Sequence, residues 1–392
     1  MTFSASWAAR LVCAFDATGL HRASTRGDYA SGEWLTAQAR EAGATVSTMP
    51  VALPRTIVED AFVELAGRRI DGLPMFDSPP APLVEGTLGR CGEDCAIGYL
   101  DSAPNAASIK GMSLEKLRRE TRHAALVIAT RVAGESLAPI NAQFFHAPFG
   151  PPVLQVAGMH HESLSQLAAR RTGAMLVCRH RREAAESLNV VAHTPGPAAR
   201  RAPDLVVLTP RTGWWESTAE RGGGLAAWIA ALHTASGLSR ERRLGREVHG
   251  YATCGHELGH VGLHHLLKTE ARLAREAEWL HLGANLGCAS SATLTLRASE
   301  ASDAERMRAL LGAEGYPDEA IRVDAIATAS GEARDVIEHG GKVLSLIGTN
   351  AHFHAASDRW PSNVNAARVA AIARAVSRWI IEKNGGTIEE YP

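Results

Sequence analysis

The chain has 392 residues, 45% of them hydrophobic, enough for a full core and a second module. With 41 Lys and Arg against 42 Asp and Glu the formal charge is -1, so nothing electrostatic favours nucleic acid or an anionic membrane as a partner. There is no run of about 18 apolar residues to span a bilayer and no basic-then-apolar leader. Six cysteines in so long a chain make no disulfide framework, so a cytoplasmic protein is expected.

Residues 1–55 read as helix, loop, helix and strand. Ser31 is placed as N-cap of EWLTAQAREA, Gly43 follows its end, and TVSTMPVAL alternates as a strand that Pro54 closes. Between 56 and 186 short apolar runs (Ala61–Leu65, Ala96–Leu100, Ala124–Ala129, Val153–Ala157, Ala174–Cys178) are separated by turns such as DSPPAP and APFGPP. Two helical patterns, Ser113–Thr121 and Glu162–Arg171, interrupt them, and the segment predicts a compact β-rich module. Cys91 and Cys95 have no second pair at zinc-site spacing and read as loop residues.

From 187 onward strands and helices alternate. SLNVVAHTPG and DLVVLTP are strands, RGGG is a turn, and Leu225–Leu232 is a helix. Then follow strand Val248–Ala252, strand WLHLG, a strand over 292–297, helix Ser302–Ala313, strand Val343–Gly348 and a closing helix Asn365–Glu382 that stops before Gly385-Gly386. The alternation predicts an α/β fold with a mixed, mostly parallel sheet covered by helices on both faces.

The central stretch is REVHGYATCGHELGHVGLHHLL, a strand that turns at Cys254-Gly255 into a helix opening with His256 and Glu257. Such a turn puts the first polar side chains at the carboxyl edge of a sheet, where open α/β folds hold ligands. The two residues are adjacent, so only one of them faces a given point. Three other places offer polar groups after strand-like runs: Arg211 with Trp214, Trp215 and Glu216; Glu220-Arg221; and His352 with His354. Two carboxylates and an imidazole suffice for one zinc with a position left for water.

SLNVVAHTPG, VVLTPRTGW, AERGGGLAAWIAAL, YATCGHELGHVG, WLHLGANLG and FHAASDRW, in that order, resemble segments of the zinc-dependent exopeptidases that include aminopeptidase Y-type enzymes and glutaminyl cyclases. The resemblance implies that residues 1–55 and 187–392 form the catalytic-type unit and 56–186 a protease-associated-like domain. It puts two usual ligands on Arg211 and Gly283, which cannot replace them, and three others on Glu220, Glu257 and His354. The general base falls on His256.

The resemblance thus implies a hydrolase cleaving an amide C–N bond in a small molecule or short peptide. One divalent ion, zinc by preference, is expected at Glu220, Glu257 and His354, with His256 moving the proton and Arg211 facing negative charge. Trp214, Trp215 and Trp360 are expected as pocket walls, and a homo-oligomer is allowed. Two alternatives stand beside it. One is a pseudoenzyme that keeps the fold for binding or assembly. The other is an H-E-x-x-H zinc peptidase through His256, Glu257 and His260, for which Leu263 and Leu266 supply no third ligand.

Overall fold

A computed structural model of the chain describes residues 3–105, 112–199, 202–291 and 293–384. Ala292 and Gly385-Gly386, which the predicted elements include, lie outside them. Helices α1 (Ala5–Asp16) and α2 (Arg26–Glu41) lead to strand β1 (Thr45–Ala52). Then come β2 (Arg55–Leu65), β3 (Arg68–Pro74), β4 (Ala81–Arg90), β5 (Ile97–Ser102), α3 (Leu114–Glu120), β6 (Ala125–Thr130), β7 (Val153–Ala157), α4 (His161–Ala169) and β8 (Gly173–Glu183). The remainder begins β9 (Glu186–Thr194), β10 (Leu205–Pro210), α5 (Thr218–Arg240), β11 (Val248–Thr253), α6 (Val261–Thr269), α7 (Ala271–Glu276) and β12 (Glu278–Leu282). It ends β13 (Leu294–Ala298), α8 (Ala301–Ala313), β14 (Ile321–Val323), α9 (Glu332–Glu338), β15 (Lys342–Gly348) and α10 (Ala366–Lys383).

Eight strands form one sheet in the order β1-β9-β11-β10-β12-β15-β13-β14, whose middle strands β11, β10, β12 and β15 run parallel. Every residue of β10 is buried, as a strand covered on both faces requires. Helices α1, α5, α8 and α10 pack one face around Phe15, Trp228 and Trp379. Helices α6, α7 and α9 cover the other through Leu266, Ala274 and Val336. Seven strands close separately into a barrel, β2-β3-β7-β6-β5-β4-β8, with its own core of Val63, Leu88, Val127 and Leu176. The two meet at Leu53, Phe76, Phe145, Trp214 and Leu258. All six cysteines are free, and among the described residues no helix is long and apolar enough to cross a membrane.

Three local expectations are corrected. Helix α2 starts at Arg26, where the Thr25 hydroxyl accepts the Asp28 N–H; Ser31 lies inside it and donates to the Asp28 carbonyl. The RGGG run is helix, not turn, because α5 begins at Thr218 and lies against the strand ends. A Cβ on Gly223 would stand 1.6 Å from the Leu286 carbonyl oxygen, so close approach of backbone is what the glycine permits. Third, the helix expected from His256 begins at Val261, after a single 3₁₀ turn over His256–Leu258.

Gly223→Ala forces the backbone of α5 off the sheet. The expected loss is at least the roughly 1–3 kcal/mol of an overpacked core, read from the urea midpoint of the variant against the parent.

Candidate functional site

The four parallel strands β11, β10, β12 and β15 end side by side, and the segments leaving their carboxyl ends meet the barrel loop between β6 and β7. Between them lies a cleft of about 610 Å³. His256, His260, His281, Asn285 and His354 line its sheet side, and Met75, Ile140, Phe144 and Phe149 its barrel side. Glu220, Glu257, Arg211 and the three tryptophans do not line it.

Each histidine has its own partner. His260 Nδ1 is 2.6 Å from Asp335 Oδ2, which also takes His264 Nε2 at 3.1 Å. Although burial alone would raise it, those bonds hold the Asp335 carboxyl well below the usual carboxylate range. An ionised Asp335 can only accept, so Nδ1 of His260 is the donor of this pair. His256 Nδ1 lies 3.5 Å from Glu332 Oε1, too far for a good hydrogen bond, and Glu332 also accepts the Thr253 hydroxyl at 2.8 Å. Burial, with the Arg221 charge nearby, keeps the His256 imidazole well below its ordinary value. His281 Nδ1 is 2.8 Å from Ser345 Oγ, its Nε2 is buried without a partner, and burial pushes its imidazole down to about 3. His354 donates from Nδ1 to the Pro139 carbonyl of the barrel loop at 2.7 Å, while its Nε2 stands 3.5 Å from Glu220 Oε1.

Backbone strain gathers at the same place. Of eight non-glycine residues with positive φ among the described residues, His260, Asn285 and His354 line the cleft. Such conformations persist where the surroundings over-determine them.

The eight residues singled out from the sequence divide. His256 and His354 line the cleft, and Glu220 meets His354 from behind it. Glu257 is turned away: its Oε1 accepts the Ala23 N–H and its Oε2 the Thr212 hydroxyl, both at 2.7 Å. Arg211 is a framework residue. It pairs with Asp28 at 2.6 Å and donates to the carbonyls of Leu188 and Asp28, tying α2 to β9. Trp214 is fully buried in the barrel seam, donating to Asn141 Oδ1 at 3.0 Å; Trp215 packs beside it, and Trp360 packs on the main core. The cleft walls are phenylalanine, methionine and isoleucine instead, because the loop after β10 folds toward the barrel.

The H-E-x-x-H spacing does not lie on one helix, since Gly259 and His260 both have positive φ. The His256 and His260 rings still meet, tilted by 33° with centroids 4.5 Å apart. His281, Glu332, Asp335 and Asn285 did not stand out in the sequence. Their signal is faint: Glu332 and Asp335 open a short helix after Gly331, and His281 sits in an apolar strand.

Solved structures share this architecture. A zinc aminopeptidase from Bacillus subtilis superposes with a TM-score of 0.77 at 16% identity, covering 98% of this chain and 96% of that one. For a peptidase M28 precursor from Shewanella amazonensis the values are 0.72, 14%, 98% and 94%. For a glutaminyl cyclase from Porphyromonas gingivalis they are 0.52, 13%, 97% and 99%. The chain has the zinc-aminopeptidase fold. No protein-family model and no curated protein matches its sequence.

On this aminopeptidase-type fold the expected zinc ligands do not assemble. A zinc site needs donors converging within coordination distance. Among the described residues Glu220, Glu257 and His354 form no such group, Glu257 being engaged by Ala23 and Thr212. The Glu220 carboxylate is moreover faced by the Arg221 guanidinium at 2.6 Å. Glu220, Glu257 and His354, as placed, make no three-donor zinc site.

Two outcomes follow for stability. Arg211→Met leaves Asp28 buried and unpaired, a loss of about 3–5 kcal/mol in chemical denaturation, with the zinc content of the protein unchanged. The Asp335 cluster is pH-dependent with opposite signs at its two ends. The lowered carboxylate contributes stability above its unfolded pKa of about 4, lost as the pH falls; the raised His264 contributes below about 6.5, lost as the pH rises through its folded pKa. The stability deficit of Asp335→Asn is therefore largest near pH 5, about midway between those values, and smaller at acid and alkaline pH.

Proposed function

We propose that this chain is a hydrolase that cleaves an amide C–N bond in a small molecule or short peptide, using histidines rather than a bound ion to move the proton. The observation carrying the reading is the His260–Asp335 pair at the floor of a cleft on the carboxyl edge of an aminopeptidase-type sheet. Asp335 orients the ring, as a carboxylate does for a general base. Nε2 of His260 takes a proton from water, the water oxygen bonds to the carbonyl carbon, and the C–N bond breaks as the same proton passes to the leaving nitrogen. The products are a carboxylic acid and an amine, which exchange the remaining proton to leave a carboxylate and an ammonium. In the tautomer that has the proton on Nε2, His281 offers an N–H without a protein partner to the carbonyl oxygen. His256, neutral in its buried place, packs against the base. On the barrel side, Met75, Ile140, Phe144 and Phe149 offer apolar surface to the substrate beside Asp77 and Arg118.

We further propose that residues 56–186 act as a protease-associated-like module roofing this cleft. A second reading, a pseudoenzyme retaining the cleft for binding, is favoured by one observation: Glu257 and Arg211 are bound into the framework rather than turned to the cleft.

The test is hydrolysis of aminoacyl and short-peptide amides by metal-depleted protein. Turnover should survive chelation, rise with pH through the imidazole range, and fall about 10²–10⁴-fold in His260→Gln with folding intact. Binding without turnover across the panel favours the second reading. Activity that chelation abolishes and zinc restores rejects the metal-free mechanism.

A further inference from the structure

A buried cation lies behind the floor of the cleft. Arg221 follows Glu220 in the first turn of α5, and its side chain is fully buried. Its Nε donates to the Thr212 carbonyl at 2.7 Å, which pins the plane of the guanidinium. Its Nη2 lies 2.6 Å from Glu220 Oε1, yet neither terminal nitrogen has an aligned hydrogen-bond acceptor, so charge holds the pair. His354 Nε2 approaches the same oxygen at 3.5 Å and has no other partner. One buried carboxylate oxygen is thus shared by a guanidinium and an imidazole nitrogen.

We infer that Arg221 is a tethered cation that neutralises Glu220 and keeps divalent ions out of the Glu220–His354 pair. A guanidinium stays protonated at any working pH, so this charge cannot titrate away or dissociate as an ion can. A divalent ion on Glu220 would be placed against it in a buried, poorly screened setting, where like charges repel strongly. Beside the engagement of Glu257 by Ala23 and Thr212, the tether is a second reason why the expected ligands on this fold do not make a zinc site. Arg221 touches no cleft surface, so it is a positioning residue rather than a catalytic one. The inference rests on no particular reaction: a protein that turns over no amide leaves it standing.

A zinc titration followed by calorimetry tests it, with bound metal counted after gel filtration. The background carries His193→Ala, because His193, Glu247 and His249, where β9 pairs with the start of β11, offer three donor atoms within 4.8 Å of one another as a second place for zinc. In that background the parent should take up no zinc. Arg221→Ala should gain one zinc per chain, lost again when His354→Ala is added, and millimolar guanidinium should compete it off. Zinc bound by the parent and abolished by His354→Ala overturns the inference. So does a folded Arg221→Ala, shown by an unchanged circular dichroism spectrum, that binds none. If Arg221→Ala does not fold, Arg221→Met, which fills the volume without charge, takes its place with the same two outcomes.

Discussion

The carboxylate of Glu257 takes the Ala23 amide and the Thr212 hydroxyl, and that choice orients everything at the floor of the cleft. Its neighbour His256 must then face the other way, toward Glu332 and the cleft. Thr212 also accepts from the Gly255 amide through the same hydroxyl, so the loops after β10 and β11 are locked to each other. Burial raises the Glu257 pKa despite these bonds, which is the mark of a group kept for structure at some electrostatic cost. A carboxylate with both oxygens occupied has little left to offer an ion.

The remaining charges divide into pairs, each satisfying a local need. Arg211 with Asp28 fastens α2 to the sheet, and Arg118 with Asp77 fastens α3 to the barrel at 2.7 Å. Buried pairs of this kind add little net stability but are costly to break, so they specify arrangement more than they strengthen it. Arg221 with Glu220 differs, because its terminal nitrogens lack aligned acceptors and an imidazole competes for the same oxygen. Asp358 sits beside it, accepting the amides of Ala219 and Glu220, and burial next to the Glu220 charge pushes it up to about 7. The first turn of α5 therefore concentrates charge that the framework pairs leave unaddressed.

The sheet was legible because its strands are local events. DLVVLTP and Val343–Gly348 are apolar runs bounded by turn residues, and a fully buried parallel strand leaves that signature whatever surrounds it. The closing helix was legible for a similar reason, with Asn365 capping it as its side chain implies. The direction of a side chain at a turn is not local. Whether His256 or Glu257 faces the cleft depends on Ala23 and Thr212, which lie 234 and 45 residues from Glu257 in the chain. RGGG reads as a turn by composition, yet packing against Leu286 makes it helix. Gly259 and His260, both with positive φ, broke the helical register that H-E-x-x-H assumes, and a spacing pattern contains no φ. The tryptophans misled for the same reason: an aromatic after a strand says nothing about which of two bodies it will meet.

The barrel is tied to the cleft through its own backbone. Its loop between β6 and β7 reaches three strand-end segments: Asn141 accepts from Trp214 after β10, Ala142 donates to the Glu257 carbonyl after β11, and Ala133 donates to Ala351 after β15. Gly259 is bound to the same loop, since a Cβ there would stand 2.6 Å from the Gln143 carbonyl oxygen. Most telling is the Pro139 carbonyl, which takes the Nδ1 proton of His354 and so leaves Nε2 toward Glu220. A backbone carbonyl can only accept, so it makes Nδ1 the donor and fixes the His354 ring in place. A barrel displaced by even a few ångströms would free His354 to turn.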